Sequence, residues 1–409
     1  MANTFISVLK FKDFSKIWVS QITSQISLHM LCFAVVLHIY QLTGSVTAVS
    51  LVLIASAIPS VIFGPFSGAV ADRINYKTVL TWTGLLRFVA ILLLFVLKDN
   101  VLALLEIIFL VSLISQFFAP AESASIPLIV PKKKLVAANS VIMTTMYASL
   151  LIGYSLAGPI MVLISVKWLF LFCGFLYLVS TFAISRMTNY DTKKVQKVIL
   201  SDWAKEIESI WKKTKEGIRY VRANKSIYGP LLKLAYGWAM LGSFIVLMPS
   251  FGETVLNISP NFIGPAIIAP AGFGMLLGAY FLDKKKNLKL NKTLSRSFFV
   301  IGLFLVVFSS YLLYNEIFIS RAINILSVIG MGFFCSMVYI SAQTLLHLNS
   351  IEEKRGRVFG ISAMLINIAM SLPSLIVGGV SDITSPLFAM VIISAIVLIY
   401  GIALLFEDN

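Results

Sequence analysis

Gly68-Ala-Val-Ala-Asp72-Arg73-Ile-Asn75-Tyr-Lys77 is a charged turn set between two stretches too apolar to rest in water. The stretch before it, 48–70, and the one after it, 78–97, each hold enough apolar residues to cross a bilayer as a helix, which takes about 20. Asp and Arg at a membrane edge are costly unless they pair, and such residues are usually retained for function. The turn therefore reads as the joint between two membrane spans.

The rest of the chain repeats that design. Of 409 residues, 58% are hydrophobic and 12% charged, with a mean hydropathy of +0.92. A soluble domain carries about 25% charged residues, so this composition excludes one. It predicts an all-α membrane protein. Twelve candidate transmembrane helices stand at 17–40, 48–70, 78–97, 101–121, 138–164, 168–187, 227–250, 260–282, 295–314, 318–345, 358–380 and 386–406. The first is too long, and lacks the small-residue cleavage site, for a removable signal peptide.

The net charge of +15 raises nucleic acid as a partner, but its placement argues against that. With both termini on one side, 28 of the 33 Lys and Arg fall in loops of that side. Three (Lys98, Lys167, Arg321) lie opposite, and Arg87 and Lys233 lie inside spans. The positive-inside rule then puts both termini in the cytoplasm of a multi-pass protein, with lipid headgroups as neighbours. Cys32, Cys173 and Cys335 fall in separate spans, with no disulfide framework. No metal-ligand spacing, phosphate-binding Gly-x-x-x-x-Gly-Lys-[Ser/Thr] motif or catalytic constellation appears, so neither an enzyme, a metal nor another cofactor is expected.

Composition changes sharply over 188–226, dividing the chain into 1–187, a linker and 227–409. In the linker, Trp203, Ile207, Ile210, Trp211, Ile218 and Val221 recur at near-helical spacing, opposite Lys205, Glu208, Lys212, Lys215 and Arg219. That pattern suits an amphipathic helix lying on the lipid surface, or one that docks a regulatory partner. The two halves echo one another: Asp283-Lys284 follows span 8 as Asp72-Arg73 follows span 2, and Gly378-Gly379 loosely matches Gly158-Pro159.

The opening turn resembles the Gly-x-x-x-Asp-Arg-x-Gly-Arg-Lys loop of major facilitator superfamily transporters, with Asn75 where the family has glycine. The resemblance implies two pseudo-symmetric six-helix halves with a substrate site between them. It also implies a conformational latch at Gly68, Asp72, Arg73 and Lys77, weakly copied at Asp283 and Lys284. Gly64 and Gly68 offer a small-residue face for close helix approach. Asn75 tolerates a left-handed turn, and Asp72 is placed to cap span 3.

Further landmarks resemble the branch that holds macrolide-efflux and enterobactin-export proteins, a neighbour of lysophospholipid transporters. These include Phe11-Lys-Asp-Phe14-Ser-Lys-Ile-Trp18, Leu42-Thr-Gly44-Ser45, Phe118-Ala-Pro120-Ala-Glu-Ser-Ala124 and Arg355-Gly-Arg357-Val-Phe359. The resemblance implies a monomeric transporter in a bacterial cell (inner) membrane. It implies proton-coupled export of an amphipathic or hydrophobic compound, with a lysophospholipid flippase as an alternative; a transporter-like sensor or assembly protein, with the basic 188–226 linker as its effector, is a rival of another class. Gly153-Tyr-Ser-Leu-Ala-Gly158-Pro159 partly matches the antiporter motif of exporters, and equally reads as a packing kink.

Two departures matter. Ser24-Gln25-Ile26 is followed by Ser27-Leu28 where the branch often has Gly-Asp, and no arginine stands between Leu110 and Pro120. The remaining ionisable groups inside spans, Arg87, Glu106, Glu122, Lys233 and His29, become the candidates for coupling or charge pairing, with Glu106 the expected partner of Arg87. The resemblance places spans 1, 4, 7 and 10 around the substrate, which makes Gln25, Gln116, Tyr236, Trp238, Asn324, Tyr339 and Gln343 candidate contacts.

Overall fold

The computed structural model describes residues 7–190, 200–285, 289–310 and 317–407; side chains are described except for 69–73, 200–207, 210 and 317–321. The described elements are helical: α1 (Lys12–Thr43), α2 (Val46–Arg73), α3 (Tyr76–Leu97), α4 (Val101–Ile129), α5 (Leu135–Ser185) and α6 (Leu200–Ala223). They continue with α7 (Lys225–Thr254), α8 (Ala269–Lys284), α9 (Leu290–Ser309), α10 (Ile317–Asn349), α11 (Glu352–Ile383) and α12 (Pro386–Glu407). Among the described residues, eleven helical stretches are long and apolar enough to cross a membrane, α8 doing so together with the Pro260–Phe262 and Gly264–Ile268 turns that lead into it. One of these, α5, is broken at Ser165, where φ 65° and ψ 159° leave helical space, so it supplies the two expected spans. Gly158 and Pro159 lie inside its first half, where the dihedrals stay helical.

Helix starts follow local chemistry. Asn100 caps α4 by accepting from Ala103 N at 3.1 Å. Asn75 caps α3 by accepting from Lys77 N at 2.9 Å, with φ −56°. Asn75 is thus there for its side-chain oxygen, satisfying a helix N–H that has no partner within the helix, rather than for left-handed freedom.

The chain divides into two compact units, one of Met1–His38 and Ala55–Trp211, the other of Ile39–Ile54 and Lys212–Asn409. In the first, α3 packs on α4 and on the second half of α5. In the second, α9 packs on α10 and α12, α8 on α10, and α7 on α11. Lipid tails are as apolar as leucine, so close packing rather than the hydrophobic effect selects these contacts. Glycine sets the closest ones. A Cβ at Gly174 of α5 would lie 3.3 Å from Phe88 of α3, and one at Gly302 of α9 would lie 2.6 Å from Leu398 Cα of α12. The expected close approach at Gly64 and Gly68 is not found: a Cβ at Gly64 meets only Gln116 Oε1 at 3.9 Å, and one at Gly68 meets nothing within 4 Å.

In α6, the part from Glu208 on carries described side chains apart from Ile210. Trp211 meets Phe66 edge-on at 6.1 Å within the first unit. In the second, Glu216 pairs with Arg357 at 3.3 Å, and Lys354 lies 4.4 Å from the Tyr220 ring centre. Trp203, Ile207 and Lys205 lie outside the described side chains.

Candidate functional site

Arg87 sits midway along α3 and is 2% exposed. A helical side chain leans toward the start of its own helix. Arg87 does so, and its Nε donates to Thr83 O at 3.2 Å. That lean carries the guanidinium under two rings: its Cζ lies 4.6 Å from the Phe118 centre and 5.0 Å from the Tyr177 centre. Phe118 comes from α4 and Tyr177 from the second half of α5, so three helices meet at one cation.

The carboxylate in the field of that cation is Glu122, 5% exposed, one turn beyond Phe118 on α4. Glu106 is not its partner. It is exposed near the far end of α4, about 24 Å along the helix axis from Glu122. Arg87 Nη2 and Glu122 Oε1 are both buried without a hydrogen-bond partner. Such atoms are expensive in a low-dielectric interior and mark a site rather than filler. The negative ring faces attract the guanidinium electrostatically, so the cation is held even where the carboxylate does not bond it directly.

The turn at Asn75–Lys77 is anchored beside this cluster, where Tyr76 and Tyr190 pack against the core that holds Phe118 and Met187. Lys77 Nζ donates to Met187 O at 2.7 Å, and Asn75 Nδ2 donates to Asn189 Oδ1 at 2.8 Å. The same strip continues to the start of α1, where Asp13 accepts from Lys16 Nζ at 2.7 Å and from the Tyr190 hydroxyl at 2.8 Å. Burial, followed by the Asp13 carboxylate, pushes the Tyr190 phenol up, so it stays a proton donor at neutral pH. The Asp72 and Arg73 side chains lie outside the described residues. Asp283 is exposed at the end of α8, and Lys284 Nζ lies 4.7 Å from the Tyr280 ring centre.

The other candidates spread over both units. In the first, His29 meets the Tyr154 ring at 5.7 Å, Gln116 Nε2 donates to Ser112 O at 3.2 Å, and Gln25 is half-buried. In the second, Trp238 and Tyr339 meet edge-on at 6.3 Å, Asn324 is buried with Oδ1 unpartnered, and Gln343 is half-buried. Lys233 Nζ reaches Ser295 Oγ at 3.4 Å. Tyr236 stacks on Tyr400 at 3.9 Å with Phe298 on its edge, so its ring is a packing element between α7, α9 and α12. Sequence reasoning missed Tyr177, which carries no motif, and Gln21, which fastens α1 to α5 through Ile142 O at 2.9 Å and Thr145 at 2.9 Å.

A family model described as Major Facilitator Superfamily matches residues 17–374. The chain belongs to the Major Facilitator Superfamily. It is a multi-pass membrane transporter and not an enzyme. Superfamily relatives include the putative bacilysin exporter BacE of Bacillus subtilis, 25% identical over 80% of this chain and 78% of that one. Macrolide efflux protein A of Streptococcus pyogenes is 24% identical over 88% of this chain and 87% of that one. The solved nucleoside transporter NupG aligns with TM-score 0.74 at 12% identity, covering 97% of this chain and 99% of that one. A bacterial homologue of the human lysosomal transporter Spinster aligns at 0.72 with 13% identity, covering 97% and 96%. At these identities the solved structures establish the superfamily fold alone.

Proposed function

We propose that this transporter moves an amphipathic or hydrophobic organic compound out of the cell by alternating access, and that Glu122 carries the coupled proton. The observation that carries the reading is the buried Arg87–Glu122 cluster, with an unpartnered atom on each residue. Ionised, Glu122 balances the buried guanidinium. Protonated, it leaves a cation that the Phe118 and Tyr177 faces still hold. Both protonation states are therefore tolerated in the same packing, which is what a proton carrier needs. The named relatives support export, and the lysine and arginine distribution supports cytoplasmic termini in a bacterial cell membrane. The 30 Phe and 14 Met suit an adaptable apolar substrate surface.

The test is uptake into proteoliposomes, with and without a pH gradient, of a cationic drug, a macrolide and a lysophospholipid. Gradient-driven uptake of the drug or the macrolide, lost in Glu122→Gln, supports the reading. An unchanged gradient response in that variant removes Glu122 from the coupling. The second reading is a lysophospholipid flippase, favoured by the absence of a carboxylate at Ser27-Leu28 and of an arginine between Leu110 and Pro120. It expects lysophospholipid movement that ignores the gradient.

A further inference from the structure

Asp382, the next-to-last residue of α11, faces the start of another helix. Its Oδ2 accepts from Ser45 Oγ at 2.6 Å and from Thr47 N at 3.0 Å, and its Oδ1 accepts from Val46 N at 2.8 Å. Val46 and Thr47 open α2, where backbone N–H groups have no acceptor within the helix and the helix dipole is positive. A carboxylate there makes charge-assisted bonds, the stronger class. The backbones come close because Gly378 stands one turn earlier on α11: a Cβ there would lie 3.0 Å from Thr47 Cα and from Val46 O.

Two further contacts hold the same turn. Gln41 Nε2 donates to Asn261 Oδ1 at 3.1 Å, and the Tyr40 hydroxyl interacts with Ser250 and Glu253 near the end of α7. Ile39–Ile54 thus belongs to the second unit, while the rest of α1 and of α2 belongs to the first. Asp382 is exposed, so water can take over its bonds when they open.

We propose that Asp382 is a releasable latch on the outer side of the membrane. It holds the α1–α2 turn against the end of α11 in one state of the transport cycle and lets it go in the other. The outer placement and the cycle rest on the reading given under Proposed function; the latch itself rests on the bonds.

The test uses the full-length protein in nanodiscs with Cys32, Cys173 and Cys335 replaced by serine. Spin labels are placed at Leu51→Cys and Phe388→Cys, both exposed in the second unit. Asp382→Asn is expected to raise the ratio of long to short label distances about tenfold, since a bond to a charged group contributes on that order. Ser45→Ala, which leaves two of the three bonds, is expected to raise it less. An Asp382→Asn distance distribution equal to the parent's, in a monodisperse sample, overturns the latch. Should that variant not purify, Val46→Pro removes one donor at the first helical position, which accepts proline, and its unchanged distribution overturns the latch equally. Transport is not part of the readout, so a wrong substrate or coupling assignment leaves the result standing. Labelling of Phe388→Cys by a membrane-impermeant maleimide in intact cells supports the outer placement. Labelling seen only in inverted vesicles overturns that placement and leaves the distances to decide the latch.

Discussion

The Arg87 guanidinium carbon and the Phe118 ring centre stand 4.6 Å apart, so one face of a buried cation is covered by an aromatic ring rather than by a carboxylate. With Glu122 near but not bonded through Oε1, the charge is shared among neighbours and belongs to no single pair. This arrangement sets the first expectation. Arg87→Met leaves Glu122 buried without a counter-charge and should cost about 3–5 kcal/mol. Arg87→Met with Glu122→Gln should regain most of that. Thermal unfolding in detergent reads both, and equal losses in the single and double variants would show that the two groups do not sense one another.

The ring contact is separately testable. Phe118→Leu keeps bulk but removes a π face, with an expected loss of about 0.5–2 kcal/mol. The loss should grow when Glu122→Gln is present, because the ring then carries more of the charge. Strict additivity in the double-mutant cycle would assign Phe118 to packing alone.

Asp13 ties the start of α1 to the chain that leaves α5, through Lys16, Thr188 and Tyr190. Asp13→Ala should therefore cost about 1–3 kcal/mol, because the bonds to a buried, charged acceptor are lost. Tyr190→Phe, which removes a single bond, should cost less. Hydrogen exchange confined to the start of α1 and residues 186–190 is the expected signature, and a uniform rise across the chain would contradict it.

Glycines at helix contacts should not behave alike. Gly302→Ala and Gly401→Ala both force a Cβ into the backbone of the facing helix and should lower the melting temperature and the yield of folded protein. Gly360→Ala in α11 meets nothing within 4 Å and should be neutral or gain about 0.5–1 kcal/mol from higher helix propensity. A melting point unmoved by Gly302→Ala would mean that α9 and α12 can separate without loss.

Ser165 holds a backbone conformation that is essentially glycine's, at φ 65° and ψ 159°. Such strain costs about 1–3 kcal/mol. Ser165→Gly should recover part of it as a higher melting temperature, whereas Ser165→Val should lower it.

The spans were legible because each is a long apolar run with charge at its ends, and even the division of Leu135–Ser185 at Ser165 falls between two expected spans. Arg87 and Glu122 stood out for the same reason, as charges amid apolar residues. Their pairing did not, since partner choice depends on the lean of a helical side chain toward its own N-terminus, and Glu106 looked as near as Glu122. Asn75 was tied to the right turn but to the wrong property, because a side-chain cap and left-handed freedom draw on the same residue types. Tyr177 and Asp382 had no local signal: one acquires its role from a helix far away in sequence, the other from a helix start that only tertiary structure brings to it. Glycine spacing at Gly64 and Gly68 promised contact, whereas Gly174 and Gly302 made it, because what faces a small residue is decided by its neighbour.

The break at Ser165 also governs what the surroundings can touch. Val162, Leu163, Ile164 and Trp168 around it are all apolar and exposed, while Lys167 Nζ lies 4.3 Å from the Phe95 ring centre. Tryptophan and lysine are interfacial anchors. With one residue doing the work of a loop, this corner presents an apolar surface flanked by an anchoring tryptophan and lysine. A protease or an antibody arriving from the water finds no strand of chain to grip there, and a change in headgroup composition meets the protein directly at that corner.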